Sequence, residues 1–226
     1  DGGNSWKGPI IPPPCKDEVT LDPFGKPVPA YNRGSLCEGK DGRVFWVVAS
    51  ASAAPPVKTA THLMISADKG ETWKYSCPVA HDEKVTFNES SLYETLKGEL
   101  VAFMRTEGFD DRTAVARSTD GGKSFLPWED AGFQGHPHYA LRLPDQRVLL
   151  VYGYRHPPFG IRARILNPEC TDVKTAAEIV LRDDGGNGDL GYPWATMISG
   201  NRTLVVYYFN QANGTRYIAG TVVGLE

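Results

Sequence analysis

The chain of 226 residues has no long apolar run, no block of like charge and no cysteine pair at metal-binding spacing. Because no stretch of about 18 apolar residues occurs, we predict no membrane-spanning helix. The net charge of -3 does not give the basic face that a nucleic-acid-binding protein needs. Without a CxxC motif no zinc-type site is indicated, and we predict no metal and no other cofactor. Cys15, Cys37, Cys77 and Cys170 leave disulfide pairing open.

Turn-forming residues are abundant, with 24 glycines and 17 prolines, and the apolar residues occur in short runs. Short β-rich runs separated by polar turns are typical of an all-β protein. The length is sufficient for one all-β domain with a sizeable core. We therefore predict a single all-β domain over residues 1–226 with short strands and no helices.

One turn pattern recurs along the chain. Residues 118–125 read Ser-Thr-Asp-Gly-Gly-Lys-Ser-Phe, residues 66–73 read Ser-Ala-Asp-Lys-Gly-Glu-Thr-Trp, and residues 1–6 hold the end of a further copy. The aspartate can accept backbone N–H groups across the turn, and glycine supplies backbone angles that other residues avoid. The aromatic residue that follows, including Trp6 in the first copy, is predicted to be buried as the next strand begins.

The turns recur at a nearly fixed period. Asp120 lies 52 residues after Asp68, and another 52 residues reach Asp172, which we interpret as a decayed copy. Asp68 lies 67 residues after Asp1, and the excess falls in the proline-rich stretch from Gly8 to Pro29. Repeats of about 40–50 residues with several short strands each indicate a β-propeller. The positions predicted to form these turns are Asp1, Asp68, Gly70, Trp73, Asp120, Gly122, Phe125 and Asp172.

The predicted strands fall into rows of four, which is the number in a propeller blade. The first segment is predicted to be the fourth strand of a blade whose other strands are missing. The following rows are Tyr31–Glu38, Val44–Ser52, Thr59–Ser66 and Trp73–Val79; Glu89–Leu96, Glu99–Arg105, Thr113–Ser118 and Phe125–Glu129; His138–Leu143, Arg147–Arg155, Ile161–Leu166 and Glu178–Arg182; and Tyr192–Ser199, Thr203–Asn210 and Arg216–Val223. A four-bladed ring is one interpretation. We expect a larger ring, with the remaining blades supplied by an upstream segment or a partner chain.

Candidate functional residues gather on the face opposite the repeated turns. Because strands within a blade are antiparallel, the starts of first strands, the ends of second strands and the starts of third strands share that face. These positions hold Glu89, His136, His138 and Tyr192 on first strands, Arg105 and Arg155 on second strands, and Arg112, Arg162 and Arg216 on third strands.

The repeated turns are Asp boxes, and the layout resembles the sialidase (neuraminidase) superfamily of Asp-box, or BNR-repeat, propellers, which are usually six-bladed. The segment from Phe87 to Leu92, followed by Arg105, is similar to the family segment that carries a catalytic glutamate. The run Gly188-Asp189-Leu190-Gly191-Tyr192 is similar to the segment bearing the nucleophilic tyrosine. Arg162 stands where another arginine of the carboxylate-binding triad would precede that tyrosine. The resemblance implies that this chain is the C-terminal part of such a propeller.

The resemblance implies a retaining exo-sialidase in which Tyr192 is the nucleophile and Glu89 takes its proton. A phenol is a weak nucleophile at its ordinary pKa of about 10, so it needs such a base, and sialidases are known for a tyrosine nucleophile. Arg105 and Arg162 would bind the substrate carboxylate, since guanidinium groups pair well with carboxylates. The other residues predicted to bind substrate are Arg164, an alternative to Arg162 on the same side of its strand, His136, His138 and Arg155.

Two features depart from the family pattern. The acid/base aspartate and the first arginine of the triad belong to N-terminal blades that these 226 residues do not contain, and Tyr192 is followed by Pro193 and Trp194 instead of small polar residues. Two alternatives therefore stay open. One is a propeller lyase or hydrolase for another acidic sugar, with His136 or His138 as the base. The other is a carbohydrate-binding or structural propeller of a larger extracellular protein. An acidic glycan or sialoglycoconjugate is the expected partner.

Three N-glycosylation sequons begin at Asn88, Asn201 and Asn213. They favour a secreted or cell-surface protein, in which disulfides would also be stable.

Overall fold

The structure is a computed structural model that describes residues 1–15, 20–21, 26–28, 32, 34–51 and 59–224. Every regular element in these residues is a β-strand, and no helix in them could cross a membrane. Strands β1 (Thr20–Leu21) and β2 (Pro27–Val28) form a small hairpin of their own.

The remaining strands form three four-stranded sheets and one three-stranded sheet, all antiparallel and paired in sequence order. The first sheet contains β3 (Cys37–Glu38), β4 (Val44–Ala51), β5 (Thr59–Ser66) and β6 (Lys74–Ala80). The second contains β7 (Thr86–Glu94), β8 (Leu100–Glu107), β9 (Arg112–Ser118) and β10 (Glu129–Gln134). The third contains β11 (His138–Arg142), β12 (Val148–Tyr154), β13 (Gly160–Leu166) and β14 (Glu178–Arg182). The fourth contains β15 (Gly191–Ile198), β16 (Arg202–Asn210) and β17 (Arg216–Gly224).

Alternate residues of each central strand pack against different neighbouring sheets. On β12, Leu150 and Tyr152 pack toward the second sheet, whereas Leu149 and Val151 pack toward the fourth. All four side chains are fully buried. Because successive residues of a strand point to opposite faces, a strand covered on both sides must be apolar throughout. The sheets therefore stack in sequence order, with the second and third each packed between two neighbours.

The first strands of successive sheets also contact each other, β3 with β7, β7 with β11 and β11 with β15. Sheets that pack face to face while their first strands meet are arranged as the blades of a propeller around an inner ring of strands. The fold is thus the predicted all-β propeller with four-stranded antiparallel blades.

The predicted strands agree with the structure within a few residues, with three exceptions. The fourth strand of the second blade is Glu129–Gln134 instead of Phe125–Glu129, because Trp128 turns inward to pack on Phe87 and Phe109 before pairing begins. The strand predicted from Tyr31 has only Cys37–Glu38 within the described residues, and Tyr31 lies outside them. The segment 1–15 contains no strand.

The aspartates of two repeated turns make the expected hydrogen bonds. Asp120 accepts the backbone N–H groups of Lys123 and Ser124 at 2.9 and 3.0 Å, and the Ser124 and Ser118 hydroxyl groups at 2.6 and 2.8 Å. Asp68 likewise accepts the Thr72 backbone N–H and hydroxyl groups, at 2.8 and 2.6 Å. These donors favour the carboxylate form, led by the Thr72 hydroxyl, and lower the pKa of Asp68 to about 2.

The first turn has the predicted hydrogen bonds, but its aromatic residue is not buried. Asp1 accepts the backbone N–H groups of Gly3 and Asn4 at 3.0 and 3.1 Å, and it also accepts the Ser5 hydroxyl. Trp6, however, is 89% exposed and not a core residue, because no sheet of the described residues covers it. Trp73 and Phe125 are half-buried and pack against the blade core, as expected for the aromatic position.

The assignment of Asp172 to a decayed turn is corrected by the structure. The turn after β13 is centred on Asn167, which accepts the backbone N–H groups of Glu169 and Thr171 and donates to the Thr171 hydroxyl at 2.8 Å. Asp172 instead accepts the backbone N–H of Asn167 at 3.0 Å. The turn follows Leu166 directly, and Asn167 lies 47 residues after Asp120, so a fixed period of 52 residues misses it.

No disulfide joins the four cysteines, all of which lie within the described residues. Burial raises the pKa of Cys37 and Cys170 to about 12 and that of Cys77 to about 11. The structure therefore contains none of the disulfides that the sequence left open.

Candidate functional site

The side chains of Glu89, Tyr192 and Arg105 meet at the centre of the face opposite the Asp boxes. The Tyr192 hydroxyl donates to Glu89 Oε1 at 2.6 Å, and Arg105 Nη1 donates to Glu89 Oε2 at 2.8 Å. Glu89 is only 5% exposed, and both hydrogen bonds help to stabilise its buried carboxylate. The carboxylate thus joins a phenol on the fourth blade to a guanidinium on its own blade.

Glu89 and Tyr192 are presented by irregularities at the starts of inner strands. The register of β7 with β8 shifts between Phe87 and Ser90, and the register of β15 with β16 shifts between Gly191 and Trp194. A β-bulge re-aims side chains relative to the regular pleat. Each bulge turns its functional side chain toward the other blade.

The backbone at Tyr192 is strained. Its φ is 51°, in the left-handed region that bulky residues rarely adopt, and the preceding Gly191 has a φ of 122°. Such strain costs of order 1–3 kcal/mol and persists only where the surroundings impose it. Here the buried side-chain amide of Asn210 fixes the loop that precedes Tyr192. It accepts from the backbone N–H groups of Gly186 and Asn187 and donates to the Asp189 carbonyl at 2.7 Å.

Arg155 lies directly against Tyr192. Its guanidinium carbon is 5.5 Å from the centre of the Tyr192 ring, and its Nε donates to the Leu190 carbonyl at 3.0 Å. The third and fourth blades approach closely here, since a Cβ on Gly153 would lie 2.9 Å from the Gly191 Cα. Arg155 directly follows the second strand of its blade and Arg105 lies near the end of the second strand of the preceding one, which brings both to the same site.

The positive charge of Arg105 lies beside two carboxylates. Besides Glu89, its Nη2 lies 3.4 Å from Glu107 Oε1. Burial alone would lower the pKa of Arg105, but its hydrogen bond to Glu89 and the charges of both glutamates outweigh burial and raise it. Arg105 therefore stays charged and is held in place before any ligand arrives.

Of the two predicted histidines, only His136 belongs to the site. His136 is 2% exposed, and neither ring nitrogen has a hydrogen-bond partner within the described residues. Burial, with the charges of Arg105 and Arg155, lowers the pKa of His136 to about 3. His138 is instead a core residue that meets the Thr113 hydroxyl at 2.8 Å and packs against Phe133.

Arg162 and Arg164 do not reach the site. Arg162 is 3% exposed and donates to the carbonyls of Arg182 and Pro158, and Arg164 donates to Tyr152 and the Ala176 carbonyl. Both lie near the Glu178 carboxylate, at 3.5 and 3.8 Å. The strand alternation puts both on one side, as predicted, but that side is the interface with the second blade. Of these arginines, Arg155 and not Arg162 lies against Tyr192.

Comparison with known proteins assigns the family. The family described as "BNR repeat-like domain" matches residues 1–205. The chain belongs to this family. The comparison with curated proteins gave no match.

Solved structures share the propeller of this BNR-repeat chain. A protein of unknown function from Dyadobacter fermentans is 61% identical over 100% of this chain, with a TM-score of 0.95. The chain spans 62% of the length of that protein. The NanB sialidase from Streptococcus pneumoniae is 18% identical, with 98% of this chain and 34% of the sialidase covered and a TM-score of 0.63. An alpha-L-arabinofuranosidase from Fusarium graminearum is 15% identical, with 93% and 64% covered and a TM-score of 0.61. Because the two glycosidases are only 18% and 15% identical to this chain, the comparison with them shows a shared fold and nothing more.

The sequence of this BNR-repeat chain did not reveal every residue of its site. Asp111, in the turn between β8 and β9, lies 3.5 Å from the His136 ring and 3.2 Å from the His156 ring. His156 gave no signal in sequence because nothing marks it except its place one residue after Arg155. In the part of the chain that the structure describes, no group of His, Cys, Asp and Glu side chains is placed to hold a metal ion.

The three sequons differ in their surroundings. Asn201 and Asn213 are exposed at turns, whereas the Asn88 side chain donates to Glu107 at 2.7 Å and accepts from the Glu89 backbone. Asn88 therefore helps to shape the site beside the catalytic candidate.

Proposed function

We propose that this chain carries the nucleophilic half of a retaining, sialidase-like glycoside hydrolase that releases a terminal acidic sugar. The observation that carries the proposal is the 2.6 Å hydrogen bond from the Tyr192 hydroxyl to Glu89. Its two residues lie 103 positions apart and are held at two bulges. The backbone strain at Tyr192 supports a functional role, because strain of this kind concentrates at active sites.

The pair can perform the first half of the reaction. As the Tyr192 oxygen bonds to the anomeric carbon, its proton passes along the existing hydrogen bond to Glu89 Oε1. The phenol remains neutral until attack, so it does not repel an anionic substrate. Arg105 holds the other oxygen of Glu89 and fixes the carboxylate in position.

Arg155 is the best candidate to bind the substrate anion. Within the described residues its two terminal nitrogens make no hydrogen bond, whereas Arg105 already faces two glutamates. A guanidinium with free donors beside the nucleophile can pair with a carboxylate next to the anomeric carbon. His136 would contribute a neutral hydrogen-bonding group beside it.

The alternative lyase mechanism has less support. A base that removes a carbon-bound proton works best with a pKa near the operating pH. Burial and the two neighbouring arginines lower the pKa of His136 to about 3, and burial lowers that of His138 to about 3 as well. Both rings are neutral at pH 7 but weakly basic.

The test is release of free sugar by the longest natural form of the protein. The substrates are 4-methylumbelliferyl glycosides of sialic acid, galactose and arabinofuranose, compared for the wild type and Tyr192→Phe. Tyr93→Phe is the matched control, since Tyr93 is a buried tyrosine on the same strand as Glu89 but near its other end.

We expect release of sialic acid that is lost in Tyr192→Phe and kept in Tyr93→Phe. Release of a neutral sugar alone would contradict the acidic substrate, and equal turnover in both variants would contradict the tyrosine mechanism. Binding of acidic glycans without any release would support the third interpretation, a carbohydrate-binding propeller.

A further inference from the structure

The loop between β14 and β15 contains no strand and leads directly to Tyr192. It ends at a strained backbone, because Gly191 and Tyr192 have φ values of 122° and 51°. A bulky residue stays in the left-handed region only where its surroundings impose that conformation. The contacts that hold this loop therefore also set the direction in which the Tyr192 side chain enters the site.

One buried side chain of the neighbouring strand is directed entirely at this loop. Asn210, the last residue of β16, is 1% exposed. Its Oδ1 accepts the backbone N–H groups of Gly186 and Asn187 at 2.8 and 3.0 Å. Its Nδ2 donates to the Asn187 carbonyl at 3.2 Å, the Asn187 side-chain oxygen at 3.0 Å and the Asp189 carbonyl at 2.7 Å. Both polar atoms of the amide are thus fully used within the loop.

The other contacts of the loop do not replace this amide. The two ends of the loop are tied to the third blade by hydrogen bonds at Gly185 and Leu190. The middle of the loop is held by Asn210 and by the ion pair of Asp189 with Arg216, at 2.6 Å. The side chains of that pair are 48% and 55% exposed, and ion pairs between exposed groups contribute little. Asn210 is therefore the buried contact that fixes the middle of the loop.

We propose that Asn210 is a positioning residue for the nucleophile, a role that rests on the proposed function. All its hydrogen bonds go to the loop, so it acts through Tyr192 and not on the substrate. By fixing the loop it holds Tyr192 in the conformation in which the hydroxyl meets Glu89 at 2.6 Å. An amide suits this place because the loop presents N–H groups and carbonyl groups side by side, and asparagine both accepts and donates.

Two variants of Asn210 test this role. In Asn210→Asp the carboxylate has the shape of the amide and keeps its acceptors, but it lacks a donor and would face two loop carbonyls. In Asn210→Ala both kinds of hydrogen bond are lost. Asn167→Ala is the matched control, because Asn167 also accepts two backbone N–H groups of a loop and donates within it, on the face opposite the site.

The variants would be assayed in the longest natural form with 4-methylumbelliferyl sialoside. We expect both Asn210 variants to lower kcat by about 10- to 100-fold at pH 7.5, since a displacement of about 1 Å can slow a reaction about 100-fold. KM should stay within about twofold of the wild type, because the anion-binding arginine is unchanged. Asn167→Ala should lower the thermal midpoint and leave both kinetic constants as in the wild type.

A pH profile separates positioning from a general loss of stability. A protonated carboxyl group has one O–H donor and can restore a hydrogen bond to a loop carbonyl, and burial raises the pKa of such a group. The kcat of Asn210→Asp relative to the wild type should therefore rise between about pH 7.5 and about pH 5.5. The same ratio for Asn210→Ala should stay constant. The charged residues on the elements around Asn210 are unchanged in both variants, and they are Arg155, Arg182, Asp183, Asp184, Asp189 and Arg216.

An unchanged kcat in both Asn210 variants, or a change in KM alone, would overturn the positioning role. The proposed function would then remain in place if Tyr192→Phe is inactive. A loss of kcat in Asn210→Asp that does not recover at lower pH would also overturn the role. An inactive wild type would overturn the proposed function and this role together. Thermal midpoints of all variants show at which temperatures each is folded, and if Asn210→Ala does not fold, the pH profile of Asn210→Asp decides.

Discussion

Mild acid is expected to destabilise the domain because two buried histidines must stay neutral in the folded state. Burial, together with the neighbouring His136 ring, lowers the pKa of His138 to about 3, and burial and nearby arginines lower that of His136 to about 3. In the unfolded chain an imidazole has a pKa of about 6.5. Between these values the unfolded state binds more protons, so the free energy of unfolding falls as the pH falls.

The magnitude follows from linkage. Each proton bound only by the unfolded state changes the free energy of unfolding by about 1.4 kcal/mol per pH unit. His138 alone should therefore contribute about 2 kcal/mol between pH 6 and pH 4.5, and His136 a similar amount. Against a typical total of about 5–15 kcal/mol, this loss is large.

Urea unfolding at pH 7, 6, 5 and 4.5 measures the effect, with His138→Phe as the perturbation. Phenylalanine keeps a ring among Phe103, Phe133 and Tyr152 but removes the titrating group. We expect the variant to lose about 1.4 kcal/mol less per pH unit than the wild type near pH 5. His81→Asn, at an exposed histidine, is the control. Parallel pH profiles for the wild type and His138→Phe would refute the reasoning.

Three further predictions concern turns and arginines. Gly122→Ala should lower the free energy of unfolding in urea by more than about 2 kcal/mol, since the φ of Gly122 is 87° and a Cβ there would lie 2.7 Å from a leucine side chain. Gly42→Ala should lower it by about 1 kcal/mol, because Gly42 has a φ of 81° but open space around it. Asp120→Asn should lower the thermal midpoint less than Asp120→Ala, because an asparagine already fills this role in the next blade; equal losses would count against it. Arg155→Ala should raise the KM for a sialoside about tenfold or more with an unchanged thermal midpoint, and Arg162→Ala should lower the midpoint instead.

The propeller could be predicted because its signals are local. Each blade repeats short strands and turns, and the Asp-box residues act within about five positions of one another, so the sequence contains the whole interaction. The sequence did not reveal the position of the third-blade turn, because there the local pattern itself is altered. Asn167 replaces the aspartate and the spacing changes, and only the hydrogen bonds show that the role is preserved.

The site could be predicted only in part. Strand direction was enough to bring Glu89, Arg105 and Tyr192 to one face, but not to choose among arginines. Arg155 reaches Tyr192 because Gly153 and Gly191 let two blades approach, a contact between residues far apart in sequence. Asp111 and His156 meet across a blade interface, and no spacing in the sequence relates a turn on one blade to a loop on the next.

The most direct test of the account is to trap the covalent intermediate. The longest natural form would be incubated with a fluorinated sialosyl fluoride, which slows the second step, and its peptides would be analysed by mass spectrometry. If Tyr192 is the nucleophile, one sugar adduct forms on the peptide that contains Tyr192 and is absent in Tyr192→Phe. Turnover of a sialoside by the wild type without an adduct on Tyr192, or an adduct on another residue, would contradict it.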